Sequence, residues 1–180
     1  MNICVFCGSS LGHNPVYVEA AKDLARLFVQ SNSALVYGGG NVGLMGIIAD
    51  SMLERGGQVV GVIPDFLFKK EVGHIGISEL IIVTSMHERK KRMADMADAF
   101  IALPGGWGTL DELAEILTWK QLGIIDKPIG LLNTNSYFTP LIAQMEKMVE
   151  EGFLKQHSLS DLIVENSPQK LLTSIGAIIV

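Results

Sequence analysis

Short apolar runs alternate with stretches of helical periodicity along almost the whole chain. Residues 2–7 form a β-rich run. A helical pattern opened by Pro15 then extends to about residue 30, proline being favoured in a helix's first turn. The alternation continues with a strand over 34–37 ending in Gly38-Gly39-Gly40 and a helix over 44–55 stopped by Gly56-Gly57. A strand over 58–63 follows, closed by Pro64. Residues 65–77 read as a longer loop. Next come a strand over 80–83, a helix over 85–97, a strand over 99–103 and a turn over 104–109. The remainder predicts a helix over 110–122, a strand over 129–133, a helix over 137–151, a short apolar piece at 162–164 and a last helix from about residue 168.

Strands alternating with helices imply βαβ crossovers and a parallel sheet. The strand segments are continuously apolar, as in sheets covered by helices on both faces. No repeat, low-complexity segment or linker interrupts the pattern, so one α/β domain over residues 1–180 is expected. Ligands of such sheets bind beyond the carboxyl ends of the strands. Three strands end there in glycine-bearing turns: Cys7-Gly8-Ser9-Ser10, Tyr37-Gly38-Gly39-Gly40, and Leu103-Pro104-Gly105-Gly106-Trp107-Gly108-Thr109.

Composition narrows the function classes. With 48% hydrophobic and 18% charged residues in 180, the chain suits a globular domain with a real core. A net charge of −5 disfavours non-specific nucleic-acid or membrane binding, so an anionic ligand would need a local positive site. The first residues lack the basic start of a secretory signal, and no apolar run approaches the ~18 residues needed to span a bilayer. A cytoplasmic protein is expected. Cys4 and Cys7 have the C-x-x-C spacing of redox pairs. Such pairs open a helix, however, whereas these two lie on a strand and face opposite ways, which makes them core residues.

The loop Gly105-Gly106-Trp107-Gly108-Thr109 joins a strand to a helix. Glycines let a backbone approach an anion with its N–H groups turned inward, and the helix start adds positive potential. The blander reading is a tight turn with Thr109 as N-cap, because Thr109-x-x-Glu112 is a capping-box pattern. Three glycines in four positions exceed what a cap requires. The earlier loop contains Gly38-x-Gly40-x-x-Gly43, a formal dinucleotide fingerprint. It follows the second strand, and no acid ends the next strand to bind a ribose, which disfavours NAD. Gly38, Gly39 and Gly40 are expected to form a pocket wall, or simply a close turn, with Gly8 and Ser9 alongside. No P-loop, zinc-ligand spacing or nucleophile elbow occurs, and no metal site is expected.

Ser85-Met86-His87-Glu88-Arg89-Lys90-Lys91-Arg92 is the concentrated basic stretch, and Ser85-x-x-Glu88 opens it as a helix. It is either a solvated face or a means of aiming Arg89 at a ligand. Asp111, Glu112 and Glu115 either offset the dipole of the helix after the loop or serve catalysis. That helix is apolar on most sides, at Leu113, Ile116, Leu117, Trp119 and Leu122, which predicts an interface with a second copy.

Three stretches occur in order: Tyr37-Gly38-Gly39-Gly40-Asn41-Val42-Gly43-Leu44-Met45-Gly46, Met86-His87-Glu88-Arg89-Lys90, and Pro104-Gly105-Gly106-Trp107-Gly108-Thr109-Leu110-Asp111-Glu112. Together with their spacing they resemble the LONELY GUY family of cytokinin riboside 5′-monophosphate phosphoribohydrolases, over nearly the whole chain. The resemblance implies a Rossmann-like, doubly wound fold, a homodimer or higher oligomer, and no cofactor. It implies hydrolysis of a nucleoside 5′-monophosphate, either AMP or an N6-modified AMP, to free base and ribose 5-phosphate. By resemblance Arg89 and Glu112 are the catalytic pair. Gly105, Gly106, Trp107, Gly108, Thr109, Leu110 and Asp111 hold phosphate and ribose, with Met86 and Lys90 nearby and Glu71 and Thr118 as further contacts. Two positions depart from the family pattern: Asp111 stands where many members have Glu, and Ser85 where members often carry an acid. The family has also carried the label lysine decarboxylase, which needs a lysine Schiff base that no residue here is placed to make. The alternative is a non-catalytic nucleotide-binding or molybdenum-cofactor-carrier-like module, which would not need the Arg89 and Glu112 pair.

Overall fold

Side-chain alternation along the strands decides what each helix covers. In the computed structural model, which describes residues 1–71 and 73–178, seven strands form one sheet. They are β1 (Asn2–Phe6), β2 (Ala34–Tyr37), β3 (Val59–Pro64), β4 (Glu79–Val83), β5 (Ala99–Ala102), β6 (Ile129–Leu132) and β7 (Leu162–Glu165). All pair in parallel, in the order β4-β3-β2-β1-β5-β6-β7. The helices are α1 (Val16–Gln30), α2 (Gly43–Leu53), α3 (Asp65–Glu71), α4 (Met86–Met96), α5 (Trp107–Gln121), α6 (Thr139–Glu150), α7 (Gln156–Ser160) and α8 (Pro168–Ser174).

Ile3, Val5, Leu35, Tyr37, Ala99 and Ile101 face a layer built from α1, α2 and α8. Their neighbours Cys4, Phe6, Val36, Phe100 and Ala102 face the layer of α4, α5 and α6. Period-two alternation therefore serves two buried faces at once. It also settles the cysteines: Cys4 belongs to one core and Cys7 to the other, and both are buried free thiols. No described helix is long and apolar enough to cross a membrane.

From β1 the chain winds outward through β2, β3 and β4, and then α4 carries it back to β5 on the other side of β1. The sheet thus reverses direction between β1 and β5, and the loops leaving those strands part to form a crevice. Contact across it is close. Gly8 donates its N–H to the Pro104 carbonyl at 3.1 Å, and a Cβ on Gly105 would lie 2.8 Å from the Gly8 nitrogen.

Two helices depart from the sequence reading. The segment expected as a loop over 65–77 contains α3, whose Asp65 start and Lys69-Lys70 end suit the helix dipole. Seven residues directly after Pro64 are too few to display a period. The five-residue α7 escapes for the same reason. In addition, α5 begins at Trp107, three residues before the expected 110, because its first turn contains Gly108 and reads as part of the turn.

Gly43 is the glycine of the formal fingerprint whose role is clearest. Its φ is +59°, and a Cβ there would lie 2.2 Å from the Ser9 carbonyl carbon. This approach lets the Leu44 and Met45 N–H groups donate to the Gly8 carbonyl, at 3.0 and 3.4 Å. The start of α2 is therefore capped by the chain itself, so those N–H groups cannot also cradle a pyrophosphate, in keeping with the reading against NAD. Replacing Gly43 by Ala is expected to cost about 3 kcal/mol, lowering the thermal midpoint by about 6–12 °C for a chain of this size. An unchanged melting curve would contradict this packing.

Candidate active site

The start of α5 presents the free donors that an anion site needs. Its N-cap residue, Gly106, has no side chain with which to cap, and its first turn contains no acid. The N–H groups of Gly106, Trp107, Gly108 and Thr109 find no acceptor among the described residues. Unsatisfied donors at the positive end of a 15-residue helix attract a phosphate. Thr109 is not the N-cap of the blander reading. It is the third residue of the helix, buried, with its hydroxyl packed so closely on Gly105 that a Cβ there would lie 2.1 Å away. Asp111 and Glu112 lie in the second turn, past the reach of simple dipole compensation.

Arg89 and Glu112 meet at the inner end of this cleft. Ser85 caps α4, its hydroxyl accepting from the Glu88 N–H at 3.1 Å, while Glu88 reaches back to the Thr84 N–H at 2.9 Å. That fixes the first turn, from which the buried Arg89 enters beneath the strand ends. Its Nε donates to the Val62 carbonyl and its Nη2 to the Gly38 carbonyl, both at 3.1 Å. The remaining nitrogen, Nη1, lies 3.4 Å from Glu112 Oε1. Arg92, a turn later on the same helix, is exposed. The concentrated basic stretch therefore delivers one buried guanidinium, and Lys90 bridges to α5 through Asp111 at 3.1 Å and Glu115 at 3.3 Å.

Burial pushes the Glu112 carboxyl up to about 7, against the pull of Arg89, with Asp111 adding a smaller push. A carboxyl with its midpoint near neutrality can exchange protons at working pH. Partial burial works to lower the Lys90 ammonium, and its Asp111 and Glu115 partners outweigh this and leave it raised.

Cys7, Gly8, Ser9, Met45, Leu67, Arg89, Gly106, Trp107, Gly108, Thr109 and Glu112 enclose a cleft of about 150 Å³. It adjoins a hollow of about 270 Å³ across Gly8, Ser9 and Gly106, walled by Ser10, Leu11, Tyr17, Leu44 and Tyr137. Either alone is smaller than typical small-molecule sites, and together they fall within that range.

Most of the residues singled out in the sequence gather here. Lys90, Met86 and Asp111 stand just behind the lining, Met86 with its sulfur 4.0 Å from Arg89 Nη1. Leu110 instead faces a groove between α5 and α6, as does Thr118, whose hydroxyl donates to the Ala114 carbonyl at 2.8 Å. Thr118 does not reach the cleft of its own chain. The Glu71 side chain lies outside the described residues. Gly38, Gly39 and Gly40 do not line the cleft but form the close turn beneath it. Gly38 seats Arg89, leaving no room for a Cβ (1.9 Å from Nη2), and Gly40 pairs with Gly73. The sequence reading missed Leu67 and Tyr137, which reach the site from elements without a chemical motif, and assigned no role to Met45, although it lies in the first of the three family stretches.

A parallel α/β sheet with an uncapped, glycine-opened helix at its switch point, and a buried arginine–carboxylate pair beside it, defines a Rossmann-like protein with a donor-lined cleft. Comparison with known proteins narrows the class. The profile of the family described as "Possible lysine decarboxylase" matches residues 45–175. A cytokinin riboside 5′-monophosphate phosphoribohydrolase of Arabidopsis thaliana is 51% identical over 175 residues, 97% of this chain and 77% of that protein. A probable enzyme of the same name from Oryza sativa subsp. japonica is 49% identical over 170 residues, 94% of this chain and 76% of that protein. The chain belongs to this family, the LONELY GUY phosphoribohydrolases.

Among solved structures, the molybdenum cofactor binding protein from Rippkaea orientalis superposes with a TM-score of 0.71 at 21% identity, covering 99% of this chain and 96% of that one. The carrier protein for the same cofactor from Chlamydomonas reinhardtii gives 0.71 at 20%, covering 97% and 94%. These likenesses concern the fold. The decarboxylase description finds no support in the cleft. Lys90, the lysine beside it, is held as an ammonium between two carboxylates and is not poised as a Schiff-base amine.

Proposed function

We propose that this protein hydrolyses the N-glycosidic bond of an adenine nucleoside 5′-monophosphate, releasing the free base and ribose 5-phosphate. The observation that carries the reading is the buried Arg89–Glu112 pair at the inner end of the phosphate cleft. The activity is the one named for the relatives with about half their residues in common. A pure binder of an anion would gain nothing from a buried carboxyl beside the phosphate, which repels the ligand whenever it ionises.

The N–H groups at the start of α5 hold the 5′-phosphate, and that remote binding positions the ribose. Glu112 as carboxylate takes a proton from the attacking water as its oxygen bonds to the anomeric carbon. The bond to the base breaks with its electron pair on the base nitrogen, which takes a proton from solvent in place of the sugar while Glu112 returns to solvent the one it took from water. Carbon in transit carries oxocarbenium character, which the same carboxylate stabilises. Arg89 holds Glu112 in place and offsets negative charge on the departing base or the phosphate. Water is the sole co-reactant, so no cofactor enters. The cytoplasm suits the two buried free thiols.

Incubation with AMP and with isopentenyladenosine monophosphate is expected to release base and ribose 5-phosphate in equal amounts. Binding of either nucleotide with no release would move the reading to a nucleotide-binding module.

The working unit is a homodimer on this reading. Leu110, Leu117, Leu141, Met145, Met148 and Leu159 line a groove of about 330 Å³ between α5, α6 and α7, and α6 has no fully buried residue. A second copy placed there would cover the groove in which Thr118 lies. Light scattering at micromolar concentration is expected to give twice the chain mass, and Leu117→Glu to give the monomer. A wild-type monomer would remove this assignment.

A further inference from the structure

We propose that Tyr137 is a positioning residue that aims a phosphate-binding N–H of the cleft from behind. The inference rests on the proposed phosphate site and assigns a residue with no role in the sequence reading. Its phenol donates to the carbonyl oxygen of Gly105. That carbonyl belongs to the same peptide unit as the Gly106 N–H, and in a planar trans peptide the two point in opposite directions. Tyr137 walls only the outer hollow, whereas Gly106 borders both hollow and cleft. Holding the oxygen toward Tyr137 therefore turns the Gly106 N–H toward the cleft that contains Arg89 and Glu112. Gly106 has no side chain to steady it and is exposed, so nothing else fixes this peptide from its own residue.

The chain accepts strain to put Tyr137 there. The turn Thr134–Ser136 places two successive non-glycine residues, Asn135 and Ser136, at φ of 53° and 57°. Side chains rarely adopt this region, and such outliers gather where a conformation serves a site. Asn133 braces the turn, accepting the Phe138 N–H at 2.7 Å and donating to the Thr139 hydroxyl at 3.2 Å. Tyr137 is then clamped edge-on by Phe138 at 5.1 Å and Tyr17 at 5.9 Å between ring centres. Tyr17 in turn packs on Gly12 of the loop after β1, so one aromatic pair braces both lips of the crevice.

The hydroxyl is the test. Tyr137→Phe keeps the rings and removes only the donor. Tyr37→Phe is the control, because that hydroxyl is buried in the core without a partner among the described residues and lines neither the hollow nor the cleft. Calorimetric titration with inorganic phosphate and with ribose 5-phosphate is expected to show both bound about tenfold more weakly by Tyr137→Phe and unchanged by Tyr37→Phe. For AMP, KM is expected to rise by a similar factor with kcat within about twofold, since the contact is made equally before and during reaction. Unchanged phosphate affinity in Tyr137→Phe overturns the proposal, as does a fall in kcat at constant KM. Phosphate binding that weakens as expected in a protein with no base-releasing activity would uphold the role of Tyr137 and remove the hydrolase reading instead. A wild type that binds no phosphate would remove both.

Discussion

Glu112→Gln is expected to fold, to bind nucleotide, and to release base about a thousandfold more slowly than the wild type. Loss of a positioned general base typically costs that order in rate. The substitution preserves shape and removes only the ability to hold a proton from water. The pH profile carries the assignment further. Burial raises the Glu112 carboxyl from the ordinary 4.5 to about 7, so its carboxylate form grows in through neutrality. The wild-type kcat should therefore rise with pH to a plateau above about 7, and the residual rate of Glu112→Gln should lack that limb. A Glu112→Gln enzyme with full turnover would end the assignment.

Stability should move the other way, because one desolvation sets both. A carboxyl whose folded value lies above its unfolded value keeps its proton more tightly in the native state. Its contribution to stability is complete below about 4.5 and is lost as pH rises toward 7. The rise from 4.5 to about 7 amounts to roughly 3–4 kcal/mol at most. The change in thermal midpoint between pH 5 and pH 8 should thus be smaller for Glu112→Gln than for the wild type. The fold keeps an ionisable group where burial favours its neutral form.

Much of this was legible in the chain because the features were either periodic or dense in glycine. Alternating strands and helices identified the parallel sheet, and the turns after β1, β2 and β5 identified its functional edge. Two of those turns, at Gly8 and Gly105, do line the crevice. The third does not, for a reason periodicity cannot carry. Gly38 ends a strand one position out from the switch point, and its carbonyl is turned to a side chain arriving from α4. For Arg89 the pattern left a solvated charge run and a site equally open, because spacing cannot say that the side chain enters beneath the ends of β2 and β3. Leu67 was invisible because α3 is a single short helix after a proline, and Tyr137 because its function is to hold a backbone oxygen. Sequence patterns report which face a residue occupies. They do not report which carbonyl it meets.

Arg89 is expected to prove the most costly residue to lose, for fold and function together. Arg89→Ala removes the partner of two buried carbonyls and the countercharge of Glu112. Breaking a buried pair from one side typically costs about 3–5 kcal/mol, or roughly 6–20 °C in thermal midpoint for a chain this long. The informative variant is Arg89→Lys, which keeps a charge. One ammonium cannot meet Val62, Gly38 and Glu112, because those three contacts use three nitrogens of a planar fork. A lysine drawn to the two carbonyls holds its charge farther from Glu112, and burial then raises that carboxyl above its present value of about 7. The expected result is a loss of about a hundredfold in rate at neutral pH, partly recovered at higher pH as the limb moves up. An Arg89→Lys enzyme with the wild-type rate and an unmoved limb would show that Arg89 is structural, and that Glu112 owes its properties to burial alone.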